Sequence, residues 1–161
     1  MTIAAQKIKA APVRKTVTVK APQARAFEVF TLKMGTWWPP QHSLLKSPCK
    51  QTIVEPRVGG RWYQIGEDGS ECDNGKVIAW QPPSKLILSW RINSKFVIDD
   101  EVDSEIEVSF IPERAGVTRV ELEHRILAVD AEELRKAVDT PNGWTGILES
   151  YARAAAEQSG H

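Results

Sequence analysis

Cysteine is scarce in this chain: Cys49 and Cys72 are its only two among 161 residues. The N-terminus, MTIAAQKIKAAP, lacks the apolar stretch of an export signal. The two thiols are therefore expected to be reduced, in a cytoplasmic protein, and not paired as a disulfide. Charge of one sign is equally lacking. Lysine plus arginine number 21, aspartate plus glutamate 21, and the formal net charge is zero. That balance offers no basic face to nucleic acid or to an anionic membrane. No run approaches the roughly 18 continuous apolar residues of a membrane helix, so membrane insertion is not expected. The words GxSxG, GxGxxG and HExxH and the glycine pattern of a phosphate loop are all missing. His42, His124 and His161 stand far apart, and neither cysteine has a partner at metal spacing, so neither a metal nor a cofactor is expected. Cys72 lies between Glu71 and Asp73, whose charges disfavour a reactive thiolate.

Tryptophan, in contrast, is abundant, with six residues: Trp37, Trp38, Trp62, Trp80, Trp90 and Trp144. A core can be built from Leu, Ile and Val alone. Aromatics spread over helix, strand and loop suggest a large curved sheet closing on a helix. The length suits one domain. Residues 1–12 carry no period and are read as a flexible arm, with a single domain over 13–158. Val13, Val17 and Val19 alternate with Thr16, Thr18 and Lys20, as in a half-buried strand. Pro22 suits the first turn of a helix, and Phe27, Phe30 and Met34 then form one apolar stripe. Gly35 ends that helix, and WWPPQHS reads as a loop or short broken helix. Together they make a short helical pair after the first strand.

From residue 51 the period becomes two. Arg61 to Ile65, Gly75 to Trp80 and Leu86 to Ile92 read as strands, separated by Glu67-Asp68-Gly69 and by Pro82-Pro83. Leu86, Leu88, Trp90 and Ile92 share one face. Residues 93–103 form a longer acidic connection, in which Phe96, Val97 and Ile98 suggest a lid or a hydrophobic bulge. Ile106, Val108 and Phe110 face inward on the next strand. Thr118, Val120, Leu122 and His124 share a face of the last one, opposite Arg119, Glu121, Glu123 and Arg125. Pairing the two inner faces needs residue numbers with an even total, which predicts a hairpin loop of odd length. Asp130 and Glu133 match a capping box opening a helix that ends near Val138. After Thr140–Gly143, Trp144, Ile147, Leu148, Tyr151, Ala152 and Ala155 line one face of a final helix. Strands grouped together, with helices set apart, define an α+β domain: about six or seven antiparallel strands curved onto a long C-terminal helix.

Several words in this order resemble a known family. They are AFEVFT at Ala26–Thr31, WWP at Trp37–Pro39, EPRVGGRWY at Glu55–Tyr63, GKVIAWQPPSKLILSW at Gly75–Trp90, RVELEHR at Arg119–Arg125 and GW at Gly143–Trp144. They are similar to proteins named for homology to the activator of the heat-shock-protein-90 ATPase. Those belong to the START-like, or SRPBCC, helix-grip superfamily, with birch-pollen-allergen-type binders and aromatic polyketide cyclases. The resemblance covers roughly residues 13–157. It implies a helix-grip fold with a cavity between the sheet and the C-terminal helix. It implies less about function, because the superfamily hosts several unrelated ones.

Strand parity and the resemblance together nominate a cavity lining of Trp38, His42, Tyr63, Trp90, Phe110, His124, Trp144, Leu148 and Tyr151. Most of this face is core. His124 is the polar exception: either an inert hydrogen-bonded histidine at a strand end, or a group that orients a ligand or moves a proton. Tyr151 sits on a helix face expected to be buried, where a phenol usually just finds a partner. Adjacent Trp37 and Trp38 are not expected to point into one core together: either one anchors the helical segment and the other lines the cavity mouth, or both are packing anchors. Arg61 and Tyr63 share one face of their strand, Trp62 and Gln64 the other, and parity does not say which is inward. The leading reading is a binder of a small hydrophobic or aromatic ligand. A second is a polyketide cyclase- or dehydratase-like enzyme, with His124 or His42 as acid or base and Tyr151 orienting the substrate. A third, from the family name, is a stress or chaperone accessory with a chaperone partner. Either a monomer or a homodimer is compatible.

Overall fold

The computed structural model describes residues 7–39, 45–95, 97–99 and 101–158. The strands are β1 (Ile8–Lys9), β2 (Val13–Val19), β3 (Cys49–Val54), β4 (Arg61–Gly66), β5 (Glu71–Gln81), β6 (Lys85–Trp90), β7 (Ser104–Arg114), β8 (Val117–Arg125) and β9 (Leu127–Ala128). The helices are α1 (Gln23–Thr31), α2 (Ala131–Val138) and α3 (Gly146–Gln158). Seven strands form one antiparallel sheet in the order β2-β8-β7-β6-β5-β4-β3. From β3 to β8 this is a plain meander. The crossover past α1 and Met34–Thr36 puts β2 and β3 at opposite edges.

The alternation from Leu86 to His124 places its apolar set on one face. Leu86, Leu88, Trp90, Ile106, Val108, Phe110, Val120, Leu122 and His124 are all buried. The outer face is a charge ladder. Arg125 bonds Glu105, Glu107 and Glu123 at 3.0–3.2 Å, an arrangement worth little in water. Register shifts between Cys49 and Gln51, Trp62 and Tyr63, and Val77 and Ala79 bend the β3–β6 half, since a bulge kinks its strand and raises the twist. Gly75 lies opposite Trp62 at one of these bends. A Cβ there would fall 2.0 Å from the Ser89 carbonyl oxygen, so the close approach of β5 to β6 requires glycine.

The hairpin between β7 and β8 departs from expectation. Ile106 faces His124 and Val108 faces Leu122, the even total that the inner faces need. Yet the turn holds two residues, Ala115 and Gly116, not an odd number. A bulge between Pro112 and Arg114 supplies the extra residue, and Gly116 takes φ 72°, which suits a tight turn.

The described part of the N-terminal arm, from residue 7, is paired into the fold. Ile8 and Lys9 pair with Ala128 and Leu127, Ala10 is buried, and its N–H reaches the Ile126 carbonyl at 3.2 Å. The chain leaving β8 presents a free edge, and the arm fills it. Among the described residues the expected helical pair is a helix, α1, and a 3₁₀ turn at Met34–Thr36; residues 40–44 lie outside them. The stripe of Phe27, Phe30 and Met34 is buried. The capping box is absent. Asp130 precedes α2 but caps nothing; its carboxylate accepts from the N–H and hydroxyl of Ser94 instead. Val97 and Ile98 of the possible lid are exposed, and Ile98 bridges back to Ile92. Phe96 lies outside the described residues. Finally, Trp144 sits in an irregular turn, Pro141–Thr145, just before α3, because Gly143 at φ −91°, ψ −132° breaks the helix there.

Candidate ligand site

The interior aromatic rings fall into two groups, joined by the 6.0 Å contact of Trp37 with Trp38, that differ in how completely they are hydrogen-bonded. The first lies under α1 and α3. Phe30 touches Trp37, Phe110 and Tyr151 with ring centroids 5.0, 5.7 and 5.0 Å apart. Every polar atom of these rings is engaged. Trp37 Nε1 donates to the Val29 carbonyl at 2.7 Å, and the Tyr151 hydroxyl donates to the Ala26 carbonyl at 2.7 Å. Burial also pushes the Tyr151 phenol far above its ordinary range. This half is packing: it ties α3 to α1 and to the tryptophan segment. Ser150 adds a 2.6 Å bond to the Trp37 carbonyl.

The second group lies over the bent end of the sheet. Trp38 meets Trp62 and Trp144 at 5.6 and 6.2 Å. Trp90 meets Trp62, Trp144 and His124 at 6.0, 5.8 and 4.9 Å. All five rings are buried. Two of their N–H groups are satisfied: Trp90 Nε1 reaches the Ile92 carbonyl at 2.8 Å, and Trp144 Nε1 reaches His124 Nδ1 at 2.9 Å. Trp38 Nε1, Trp62 Nε1 and His124 Nε2 have no partner among the described residues. Such groups are uncommon in protein interiors and call for an explanation.

The bond from Trp144 settles the state of His124. An indole N–H can only donate, so Nδ1 must be the bare acceptor nitrogen. In a neutral ring the proton then sits on Nε2. Burial holds the ring neutral, lowering its pKa from 6.5 to about 3. His124 is therefore a fixed N–H donor near neutral pH, and not a proton shuttle.

Three further buried side-chain oxygens lack a partner among the described residues. Gln64 follows Trp62 on the same inner face, and its amide nitrogen donates to Thr52 at 3.3 Å while Oε1 has no partner among the described residues. Asn74 Oδ1 and Ser104 Oγ share that condition, with Ser104 paired opposite Trp90. No lysine or arginine among the described residues is buried, so the electrostatics come from neutral dipoles. The described residues contain no group of three or more His, Cys, Asp or Glu suited to a metal ion. Burial, then the Asp73 charge, raises the Cys72 thiol pKa, which leaves it a poor nucleophile.

Of the nominated lining, Trp38, Trp90, His124 and Trp144 come together in this second group. Phe110 and Tyr151 belong to the packed half, and Leu148 is buried on α3. Tyr63 faces outward, with the Arg61 guanidinium 3.9 Å above its ring, because Trp62 and Gln64 take the inner positions. His42 lies outside the described residues. Trp62, Gln64, Asn74 and Ser104 are the residues the sequence reading missed. The charge on Arg61 was the available signal, since a charged residue marks the solvent face of its strand.

A curved antiparallel sheet closed by a C-terminal helix over an aromatic interior is the helix-grip architecture of START-like domains. Among the described residues no helix is long and apolar enough to cross a membrane. The chain belongs to the family of activator of Hsp90 ATPase homolog 1-like proteins, which it matches over residues 20–156. A search of curated proteins finds no match. Among solved structures, it is 39% identical to Txn09, an anthrahydroquino-gamma-pyrone synthase solved as a complex, with a TM-score of 0.61, covering 91% of this chain and 97% of that one. It is 32% identical to CalC, a self-sacrificing resistance protein from Micromonospora echinospora, with a TM-score of 0.68 and coverage of 92% and 96%. It also shares its fold with protein NE0264 from Nitrosomonas europaea, at 14% identity, a TM-score of 0.68 and coverage of 93% and 97%. Family and neighbours fit a ligand-binding fold.

Proposed function

We propose that this protein binds a small, flat aromatic ligand against the inner face of the sheet, where Trp38, Trp62, Trp90, Trp144 and His124 meet. The observation that carries this reading is the contrast between the two aromatic groups. One is fully hydrogen-bonded, as a packed core should be. The other keeps three buried N–H groups without a partner among the described residues, and a buried donor left unpaired costs about 1–3 kcal/mol. Rigid aromatic walls with a few polar groups are the usual make-up of a small-molecule site. The likeness to a synthase that handles an anthrahydroquino-gamma-pyrone supports the ligand's aromatic character.

The same likeness favours a second reading, in which the bound compound is also converted. The interior restricts how. His124 is held neutral and the Tyr151 hydroxyl is engaged with Ala26, so neither suits the acid–base role that the sequence suggests for it. Conversion at this site would rest on holding a flexible substrate in one reactive shape.

Titration with xanthone, a planar three-ring compound, tests the binding reading. Quenching of tryptophan fluorescence and a one-to-one complex in native mass spectrometry are expected. Absence of both at soluble xanthone concentrations would sink it.

A further inference from the structure

We infer that the site selects ligands carrying a neutral carbonyl oxygen, of the ketone, quinone or pyrone type, that accepts from one or two of Trp38 Nε1, Trp62 Nε1 and His124 Nε2. This rests on the binding reading above and names its chemistry. The three atoms on the aromatic walls that lack a partner among the described residues are all N–H groups. Two are indoles, which have no acceptor capacity. The third is fixed as a donor because Trp144 occupies the other nitrogen of His124 at 2.9 Å. The three rings belong to one connected cluster: Trp38 lies 5.6 Å from Trp62, and Trp62 is joined to His124 through Trp90 by steps of 6.0 and 4.9 Å. A hydrocarbon placed against this surface leaves all three donors bare. A carbonyl oxygen has two lone pairs and can accept from two of them.

The oxygen must be neutral. Taking a carboxylate out of water is expensive unless a cation meets it, and among the described residues no lysine or arginine is buried. Fixed neutral N–H dipoles suit a polarised C=O, whose partial charge they match without a full desolvation penalty. Dipoles of this kind also favour ligands in which electron density moves onto that oxygen, as in a vinylogous pyrone.

Xanthone and xanthene provide the test. They share three fused rings and differ at one position, C=O against CH₂. Xanthone is expected to bind at least tenfold more tightly, the equivalent of one well-made hydrogen bond to a buried donor. In ¹H–¹⁵N spectra the indole resonances of Trp38 and Trp62 should move downfield with xanthone and not with xanthene. That of Trp144, already bonded to His124, should respond alike to both. Trp62→Phe removes one donor, so the ratio of xanthone to xanthene affinity should shrink toward one, whatever change the smaller ring makes to both affinities alike. Equal binding of the two compounds overturns the inference and leaves the binding reading standing, as does tighter binding of xanthene; retained water satisfying the donors would give the equal result. Binding of neither overturns both. If Trp62→Phe does not fold, the wild-type affinity ratio and indole shifts decide by themselves.

Discussion

Trp144 and His124 form a buried pair in which the indole N–H donates to Nδ1 at 2.9 Å, with the rings 5.8 Å apart and 81° between their planes. The bond joins the turn before α3 to the last strand of the main sheet. It also decides what His124 can do. A histidine at a strand end could be a base, an acid or a plain polar filler. Once Nδ1 accepts from an obligate donor, only the N–H of Nε2 is left to face a ligand.

The pair makes folding stability depend on pH in a defined direction. The folded-state pKa of His124 is depressed by burial, from 6.5 to about 3. Between these values the unfolded chain binds a proton that the folded chain does not. The contribution is therefore complete above about pH 6.5 and is lost as pH falls through that window, by up to about 1.4 kcal/mol per pH unit. Urea unfolding at pH 7.5 and pH 5.0 should show about 2 kcal/mol of loss attributable to this residue. The His124→Phe variant, destabilised at neutral pH by the stranded Trp144 N–H, should show that much less pH dependence. Parallel curves for the two proteins would contradict the assignment.

Tyr151→Phe should separate packing from ligand chemistry. Its hydroxyl ties α3 to the Ala26 carbonyl at 2.7 Å and sits among the fully satisfied rings. Loss of that bond should cost about 1 kcal/mol of stability. Xanthone affinity should stay within about twofold of wild type, since less than half a kcal/mol separates twofold affinities. A tenfold loss of affinity with unchanged stability would place Tyr151 in the site instead.

Gly75→Ala probes the bend opposite Trp62. The added methyl would meet the Ser89 carbonyl oxygen at 2.0 Å, and that backbone cannot yield without separating β5 from β6. A loss of more than about 2 kcal/mol is expected from overpacking of this kind. Gly69→Ala is a useful contrast: nothing lies within 4 Å of its added Cβ, and its cost comes only from φ 84°. Thermal unfolding of the two variants side by side would show whether the close approach at Gly75 is required.

Much of the architecture was legible because strand periodicity has a physical cause. Alternate side chains leave opposite faces of a pleated strand, so Leu86 to Trp90, Ile106 to Phe110 and Val120 to His124 declare their inner face directly. The apolar stripe from Ile147 to Tyr151 does the same for α3. Family words such as WWP and EPRVGGRWY carried the rest of the fold. Of the residues nominated from the sequence, Trp38, Trp90, His124 and Trp144 meet in one buried cluster, while Tyr63, whose face parity left open, lies on the outer side.

What escaped depends on registers and partners that no local pattern encodes. Asn74 and Gly75, adjacent in sequence, are both buried because β5 bulges where it pairs with Trp62 and Tyr63. The odd loop expected between β7 and β8 became a two-residue turn because a bulge absorbed the difference. Above all, six tryptophans look alike in a sequence. Trp37 and Trp90 reach backbone carbonyls, Trp144 reaches His124, and Trp38 and Trp62 are left without a partner among the described residues once sheet and helix close around them. Periodicity determined the sheet, the gripping helix and the faces they bury. Tertiary packing decided which buried donors were left over, because a hydrogen bond depends on where two distant segments meet.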